Sequence, residues 1–173
     1  MSRVRHHNCP YHANSVVIDT DGSCPNNGPN ATEMAIGVWW GRNHRYNYSE
    51  ILDVSLGRAT NNRAEIHAAR IGIEQAAHLG FDCVLVRTDC EYLISAVYHW
   101  IPKWEGNGYI NNRGTTVANK EDFQLLSQAM EQIHVKFKKV AGHSGDEGNN
   151  GADRLAREAI GNYRNQYRHH RRR

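Results

Sequence analysis

Four acidic residues stand where carboxylates could act together in catalysis. Asp21 ends a short apolar segment, and Asp89 directly follows a second one. Glu65 lies among small residues at helical spacing, so its carboxylate faces desolvation unless a cation or a hydrogen bond compensates it. Asp153 belongs to the last stretch with helical periodicity. Four carboxylates that meet in space repel one another and call for a divalent cation.

Such a cluster predicts metal-dependent phosphodiester chemistry. Ligation by oxygen alone selects Mg²⁺ or Mn²⁺ over zinc. Two such ions about 3.5–4 Å apart can activate a water molecule and stabilise the leaving oxygen. His143, in a Gly-His-Ser-Gly loop, could move a proton beside this site or help the product leave, although it could also be an ordinary surface histidine.

Each acidic residue also has an ordinary structural explanation that the sequence leaves open. Asp21 could begin a turn, and Glu65 could be an exposed residue that favours the helix dipole. Asp89 could cap a helix, and Asp153 could pair with Arg157 one turn later. The prediction of a site therefore depends on their convergence and not on any one residue.

The hydrophobic pattern predicts the elements that position these side chains. Strands are predicted at residues 15–20, 34–40, 45–53, 83–88 and 133–140. Helices are predicted at residues 61–79, 90–100, 120–132 and 146–160. Residues 41–44 form a predicted hairpin turn, and residues 102–119 an irregular segment. This order predicts an α/β fold with a mixed five-stranded sheet, in which the acidic residues meet at the carboxyl ends of adjacent strands.

The bulk properties predict one soluble domain. The chain has 173 residues, 39% of them hydrophobic, and a net charge of +3. No apolar run approaches the roughly 20 residues that span a bilayer, so no membrane partner is expected. The first 14 residues lack a secretory pattern, and four cysteines without a C-x-x-C pair predict free thiols. We therefore expect an intracellular protein of the nucleus or cytoplasm, with a mitochondrial location left open.

Two tails flank the predicted folded domain of residues 15–161. The N-terminal tail, residues 1–14, carries His6, His7, Cys9 and His12. These could bind zinc, but no second cluster supports such a site, so disorder is the prediction. The C-terminal tail, residues 162–173, is strongly basic. It could bind a phosphate backbone, serve as an import signal, or be a solvated end.

Five segments, in this order, resemble type 1 ribonuclease H over residues 15–161. They are TDGSC at 20–24, TNNRAE at 60–65, TD at 88–89, GHSG at 142–145 and ADRLAR at 152–157. The resemblance implies a ribonuclease H-like fold with strand order 3-2-1-4-5. It also implies a monomeric enzyme that binds RNA/DNA hybrids and hydrolyses their RNA strand endonucleolytically, leaving 5′-phosphate and 3′-hydroxyl ends. Two Mg²⁺ ions, or Mn²⁺ in their place, would be the cofactor. The resemblance also suggests two family roles, the removal of RNA primers and the removal of R-loops.

The resemblance assigns site residues as well. The acidic quartet that ligates metal and catalyses falls on Asp21, Glu65, Asp89 and Asp153, and the catalytic histidine on His143. Contacts to the RNA strand near its 2′-hydroxyls fall on Asn27, Asn61 and Asn62. Contacts to the DNA strand fall on Arg58, Thr60, Trp100, Trp104 and Asn119. Trp100 could instead be a core aromatic residue.

Departures from the family pattern add further expectations. Asp19 stands where many relatives carry an apolar or aromatic residue, and it shares a strand face with Asp21. It could be a fifth acid near the metals or a solvated residue at a strand end. The family's basic protrusion would comprise Lys103, Trp104, Tyr109 and Arg113. Because it is less lysine-rich than usual, weaker affinity for the hybrid is expected.

Two other functions compete with this prediction. One is a DNA-cutting nuclease of the same fold class, against which Asn61 and Asn62 argue because they address hybrid geometry. The other is a catalytically inactive binding module, against which the intact acidic quartet argues.

Overall fold

The sheet is mixed and five-stranded in the computed structural model, which describes residues 13–28, 31–55, 57–142 and 144–170. Its strands are β1 (Ser15–Ser23), β2 (Ala35–Trp39), β3 (Tyr48–Ile51), β4 (Cys83–Thr88) and β5 (His134–Lys139). The order β3-β2-β1-β4-β5 confirms the predicted topology. β1 runs antiparallel to β2 and parallel to β4, so the central strand joins the two halves of the sheet.

Helices cover the sheet on both faces. They are α1 (Asn61–His78), α2 (Glu91–Ser95), a π-helical turn (Ala96–Trp100), α3 (Ile101–Asn107), α4 (Lys120–Met130) and α5 (Glu147–His170). The buried core includes apolar strand residues together with residues of α1: Val16, Ile18, Val38, Val84, Ile66 and Ile73. Burial of such side chains supplies the main driving force for the fold.

Two glycines let the helices approach the central strands at the level of Asp21. A Cβ on Gly22 would lie 2.4 Å from the backbone nitrogen of Glu65, so α1 lies almost on the strand. A Cβ on Gly37, the cross-strand partner of Asp21, would lie 2.1 Å from the carbonyl oxygen of Ala152 in α5. Because neighbouring residues of a strand face opposite sides, α1 and α5 enclose Asp21 from the two faces of the sheet.

The helical region after β4 is longer than predicted. It continues through Pro102 to Asn107, whereas the sequence predicted an irregular segment from Pro102 onward. The π-helical turn explains the difference, because the N–H of Ile101 bonds to the carbonyl of Ala96, five residues back. Proline has no N–H to place in this widened turn, so it enters the helix near the start of α3.

The connection between β2 and β3 is also longer than the predicted turn. The structure places β3 at Tyr48–Ile51, a shorter strand than the predicted 45–53. The side chain of Asn47 closes the loop, since its oxygen accepts the N–H of Trp40 at 2.8 Å and its amide donates to the carbonyl of Gly41 at 2.8 Å. In this loop, the hydrogen bonds of the Asn47 side chain take the place of the backbone hydrogen bonds that a strand beginning at residue 45 would have made with β2.

The last helix does not end at Ile160 as predicted. α5 continues to His170, and so part of the predicted tail is helical. Ala159 and Ile160 are buried against the sheet, and Arg164 pairs with Glu33 at 2.6 Å. The contact at Arg164 ties the extension to the segment before β2, which no local pattern could predict.

Among the residues that the structure describes, no helix is long and apolar enough to cross a bilayer. Cys24 and Cys90 are free thiols, as predicted for these two positions.

Candidate active site

Three carboxylates converge at one end of the sheet. Oxygens of Asp21, Glu65 and Asp89 all lie within 4.8 Å of one another. Asp21 lies in the part of β1 that extends past the end of β4, Asp89 follows β4 directly, and Glu65 reaches them from α1. Asp153, on α5, lines the same cleft of about 320 Å³. The structure thus brings together the four acidic residues that the sequence singled out.

The structure also decides between the alternatives for these residues. Asp21 lies inside β1 and not in a turn, and Glu65 is only 7% exposed. The cap of α2 is Cys90 and not Asp89. Only for Asp153 does the structural alternative hold, because Arg157 pairs with it at 3.0 Å. Since that pair is on the surface, it does not prevent Asp153 from facing the cleft.

Mutual repulsion and burial perturb the acidic cluster. Burial raises the pKa of Asp21 to about 6, with the charges of Asp89 and Asp153 adding to the effect and a hydrogen bond from Glu65 opposing it. Burial, and then the charge of Asp21, raise the pKa of Glu65 well above its usual value. The hydrogen bond between the carboxyl groups of Asp21 and Glu65 requires a proton, which the two groups therefore share when no metal is bound.

The cluster fits a divalent cation. Its donors are carboxylate oxygens, the ligands that Mg²⁺ and Mn²⁺ prefer. Oε2 of Glu65 is buried and has no hydrogen-bond partner, as expected for an oxygen that ligates an ion. The nearby thiol of Cys90 does not compete, because burial and the charge of Glu65 raise its pKa to about 12.

Asn149 is a cleft residue that the sequence analysis missed. It is 2% exposed, and its amide nitrogen donates to Oδ2 of Asp89 at 3.2 Å. Its position four residues before Asp153, on the same helical face, was the signal that could have identified it.

Two of the predicted RNA-strand residues are linked beside the acidic cleft. The side-chain oxygen of Asn27 accepts the N–H of Asn61 at 3.0 Å, and the side chain of Asn61 accepts the N–H of Cys24 at 2.8 Å. Asn61 also lines the acidic cleft. Asn62, the next residue, is exposed in the first turn of α1. The loop after β1 and the start of α1 thus present amides next to the carboxylates.

Two of the three residues predicted to contact a DNA-strand phosphate line a second cleft, of about 290 Å³. Arg58 and Asn119 line it, and Asn119 adopts a left-handed conformation (φ 60°) at the start of α4. Thr60 does not line this cleft. Its hydroxyl caps α1 by accepting the N–H of Arg63 at 3.2 Å.

The predicted tryptophans line a third cleft, of about 640 Å³, together with Lys103 and Arg113. The rings of Trp100 and Trp104 lie 5.6 Å apart between centroids. Trp100 packs against the core and also lines the cleft, and its contact with a DNA strand stays a prediction. Tyr109, also expected on the basic protrusion, is 5% exposed and packs against the ring of Trp104.

Asp19 has neither of its predicted roles. It is fully buried, and Oδ1 lies 2.8 Å from Nε of Arg87, its register partner on β4. Arg87 also pairs with Asp146, just before α5. Burial raises the pKa of Asp146, but the backbone N–H of Asn149 and the guanidinium of Arg87 lower it overall. Asp19 is therefore an ion-pair residue beneath the cleft and not a fifth metal ligand.

A second buried network, also missed, lies at the second cleft, which Arg63 and Asp122 line. Arg63 pairs with Asp122 at 2.9 Å, and Nε2 of His67 lies 2.8 Å from the same carboxylate. Burial raises the pKa of Asp122, but the hydrogen bonds from His67 and Arg63 lower it overall. The network joins α1 to α4 and so fixes the relative position of these two helices, whose first turns flank the second cleft.

Some predictions fall outside the described residues. They concern His143, the possible zinc ligands His6, His7, Cys9 and His12, and residues 171–173 of the basic tail.

The sheet topology and the oxygen-lined cleft define an α/β protein with a candidate site for divalent cations. Comparison with known proteins gives the family, because the RNase H family matches residues 13–161. The chain therefore belongs to the RNase H family.

The chain is also similar to individual members of that family. Ribonuclease H1 of Homo sapiens is 41% identical over 148 residues, which are 86% of this chain and 51% of that protein. Ribonuclease H of Symbiobacterium thermophilum is 36% identical over 149 residues, 84% of this chain and 94% of that protein. The chain thus spans about half the length of the mammalian relatives that it matches.

A solved structure shows the same fold. LC11-RNase H1, solved in complex with an RNA/DNA hybrid, has a TM-score of 0.61 at 22% identity. The alignment covers 85% of this chain and 97% of that chain.

Proposed function

We propose that this chain is a divalent-cation-dependent endoribonuclease that hydrolyses the RNA strand of RNA/DNA hybrids, leaving 5′-phosphate and 3′-hydroxyl ends. The observation that carries the proposal is the set of carboxylate oxygens of Asp21, Glu65 and Asp89 within 4.8 Å of one another. Family membership supports the reaction class. The hybrid bound to LC11-RNase H1, a protein of the same fold, supports the substrate class.

The proposed catalytic residues are the acidic quartet and His143. Mg²⁺ is the expected cation, with Mn²⁺ as a substitute, because all candidate ligands are oxygens. When bound, two ions supply activation of the attacking water and stabilisation of the leaving oxygen. The carboxylates of Asp21 and Glu65 must give up the proton that they share before both can ligate. His143 would move a proton or assist product release beside the cleft.

The three clefts support recognition of a hybrid. Amides of Asn27, Asn61 and Asn62 can both donate to and accept from 2′-hydroxyls of the RNA strand. Arg58 and Asn119 offer donors for a DNA phosphate in the second cleft. Thr60 does not line that cleft and its hydroxyl caps α1, so a contact with the DNA strand would have to come from its backbone outside the cleft.

In the third cleft, the rings of Trp100 and Trp104 would pack against deoxyribose, which lacks the 2′-hydroxyl. Residues 15–161 would form the catalytic domain, acting as a monomer. The proposed location is the nucleus or cytoplasm, with the mitochondrion as an alternative.

A duplex-selectivity assay tests the proposal. Matched RNA/DNA, RNA/RNA and DNA/DNA duplexes are incubated with the protein and Mg²⁺, with and without EDTA. We expect only the hybrid to be cut, only in its RNA strand, and only without EDTA. Cutting of DNA/DNA would instead support a DNA nuclease of the same fold. Hybrid binding without cutting would support an inactive binding module.

A further inference from the structure

Two residues that follow β5 contact Asp89: Gly142, in the loop before α5, and Asn149, in the first turn of α5. A Cβ on Gly142 would lie 2.5 Å from Oδ2 of Asp89, so this glycine packs directly against the carboxylate. The amide of Asn149 donates to the same oxygen at 3.2 Å. The orientation of Asp89 therefore depends on where the first turn of α5 lies.

That first turn is fixed by Asp146. Its Oδ1 accepts the backbone N–H groups of Gly148 at 2.9 Å and Asn149 at 3.1 Å, which otherwise have no partner at a helix start. The same carboxylate pairs with Nη2 of Arg87 on β4, two residues before Asp89. One side chain thus links the end of β4 to the start of α5.

Asp19 completes this arrangement from below. Its carboxylate is fully buried, so it depends on the guanidinium of Arg87 for charge compensation. A Cβ on Gly148 would lie 2.2 Å from Oδ2 of Asp19, and so the helix turn rests on this carboxylate. Arg87 pairs with both Asp19 and Asp146. Because its guanidinium is planar and rigid, these two pairs restrict the position of the first turn of α5.

We propose that Asp146 is a positioning residue for Asp89: held by Arg87 and Asp19, it fixes the first turn of α5 so that Asn149 orients the Asp89 carboxylate toward the cation. The inference rests on the proposed function for the identity of the ligand, while the contacts themselves belong to the metal-free protein. An outer partner of this kind affects metal affinity by about 10–100-fold in other metal sites.

Isothermal titration calorimetry with Mg²⁺ tests the proposal on the full chain. We expect Asp146→Ala and Asn149→Ala each to weaken Mg²⁺ binding about tenfold. The double variant should bind no more weakly than either single variant, because both changes interrupt the same chain of contacts from Asp146 through Asn149 to Asp89. Glu147→Gln is the matched control, since it breaks an exposed pair with Arg42 in the same helical turn. It should leave the affinity within about twofold of the parent.

A second variant separates the ion pair from the helix cap. Asp146→Asn keeps an oxygen acceptor for the helix start but loses the charge that faces Arg87. An intermediate loss of Mg²⁺ affinity is expected, at unchanged melting temperature. Equal affinity in the parent, Asp146→Ala and Asp146→Asn would overturn the proposal, as would additive losses in the double variant.

NMR of the metal-free protein keeps this test separate from the proposed function. The side-chain amide of Asn149 should shift in Asp146→Ala and not in Glu147→Gln. If the parent binds no Mg²⁺ but this shift occurs, the proposed function fails while the positioning contact stands. An unshifted Asn149 amide in Asp146→Ala overturns the positioning role whether or not Mg²⁺ binds.

Discussion

Two groups of buried carboxylates in this molecule have pKa values shifted in opposite directions. Asp122 faces the guanidinium of Arg63 and the imidazole of His67, and its pKa is lowered even though burial alone would raise it. Asp21 and Glu65 face each other and further acids, and their pKa values are raised. Burial raises the pKa in both groups, and the shift is reversed only at Asp122, where hydrogen bonds from His67 and Arg63 outweigh it.

The difference separates a structural network from a candidate functional site. The network around Asp122 balances its charge within the chain and joins α1 to α4. The acidic cluster does not balance its own charge, and it opens into a cleft. Buried acids with raised pKa values in a cleft are typical of functional sites.

The largest expected effect comes from removing a charge from the acidic cluster. Under the proposed function, Asp21→Asn should lower hybrid cleavage about a thousandfold or more, since metal activation is worth several kcal/mol. The rate of cleavage of a labelled hybrid in Mg²⁺ measures it. Asp82→Asn, at the opposite end of β4, is the control and should keep the parental rate. Undiminished cleavage by Asp21→Asn would contradict the site assignment.

The next effect concerns the network around Asp122. Asp122→Ala should lower the free energy of unfolding by about 3–5 kcal/mol, because it leaves the guanidinium of Arg63 buried without its partner. Urea unfolding measures the change. Glu158→Gln, which breaks an exposed pair with Arg154, should cost less than about 1 kcal/mol. Similar losses in the two variants would mean that the network is not structural.

A cation should stabilise the acidic cluster and leave the other network unaffected. At Mg²⁺ concentrations about 100 times the dissociation constant, the free energy of unfolding should rise by about 2.7 kcal/mol. Thermal unfolding with increasing Mg²⁺ measures this. The rise should be abolished in Glu65→Gln and preserved in Glu158→Gln. A rise of equal size in Glu65→Gln would locate the binding elsewhere.

The smallest expected effect is the dependence of stability on pH in the metal-free protein. The folded pKa of Asp21 is about 6, above its ordinary 3.8, so the folded state binds an extra proton between these values. Asp21→Asn should therefore exceed the parent in stability at pH 7, by a margin that shrinks as the pH falls through 6. Urea unfolding at several pH values measures this margin.

The contribution of Asp122 to stability depends on pH with the opposite sign. Its folded pKa is lowered, so its contribution is fully present above the ordinary value of 3.8 and is lost as the pH falls through the folded pKa. The cost of Asp122→Asn should shrink only in strongly acidic solution. Parallel pH profiles for Asp21→Asn and Asp122→Asn would contradict the contrast between the two regions.

The sequence predicted the sheet and the acidic cluster because both depend on local patterns. Strand order followed from the family resemblance, and the acidic residues stood at the ends of apolar segments or on a helical face. The ion pair of Asp19 with Arg87 was not predictable, since 67 positions (87 − 19 − 1) separate the two residues in the chain and only the β1–β4 register joins them. The path of α5 beyond Ile160 depends likewise on a distant partner, Glu33.

Proton release on Mg²⁺ binding tests the central claim most directly. Calorimetric titrations at pH 6 in two buffers of different ionisation enthalpy give the number of protons released. The account predicts release by the parent protein, because Asp21 and Glu65 share a proton that ligation must displace, and weaker binding by Asp21→Asn. Binding without proton release, and with equal affinity in Asp21→Asn, would show that these carboxylates do not hold the cation.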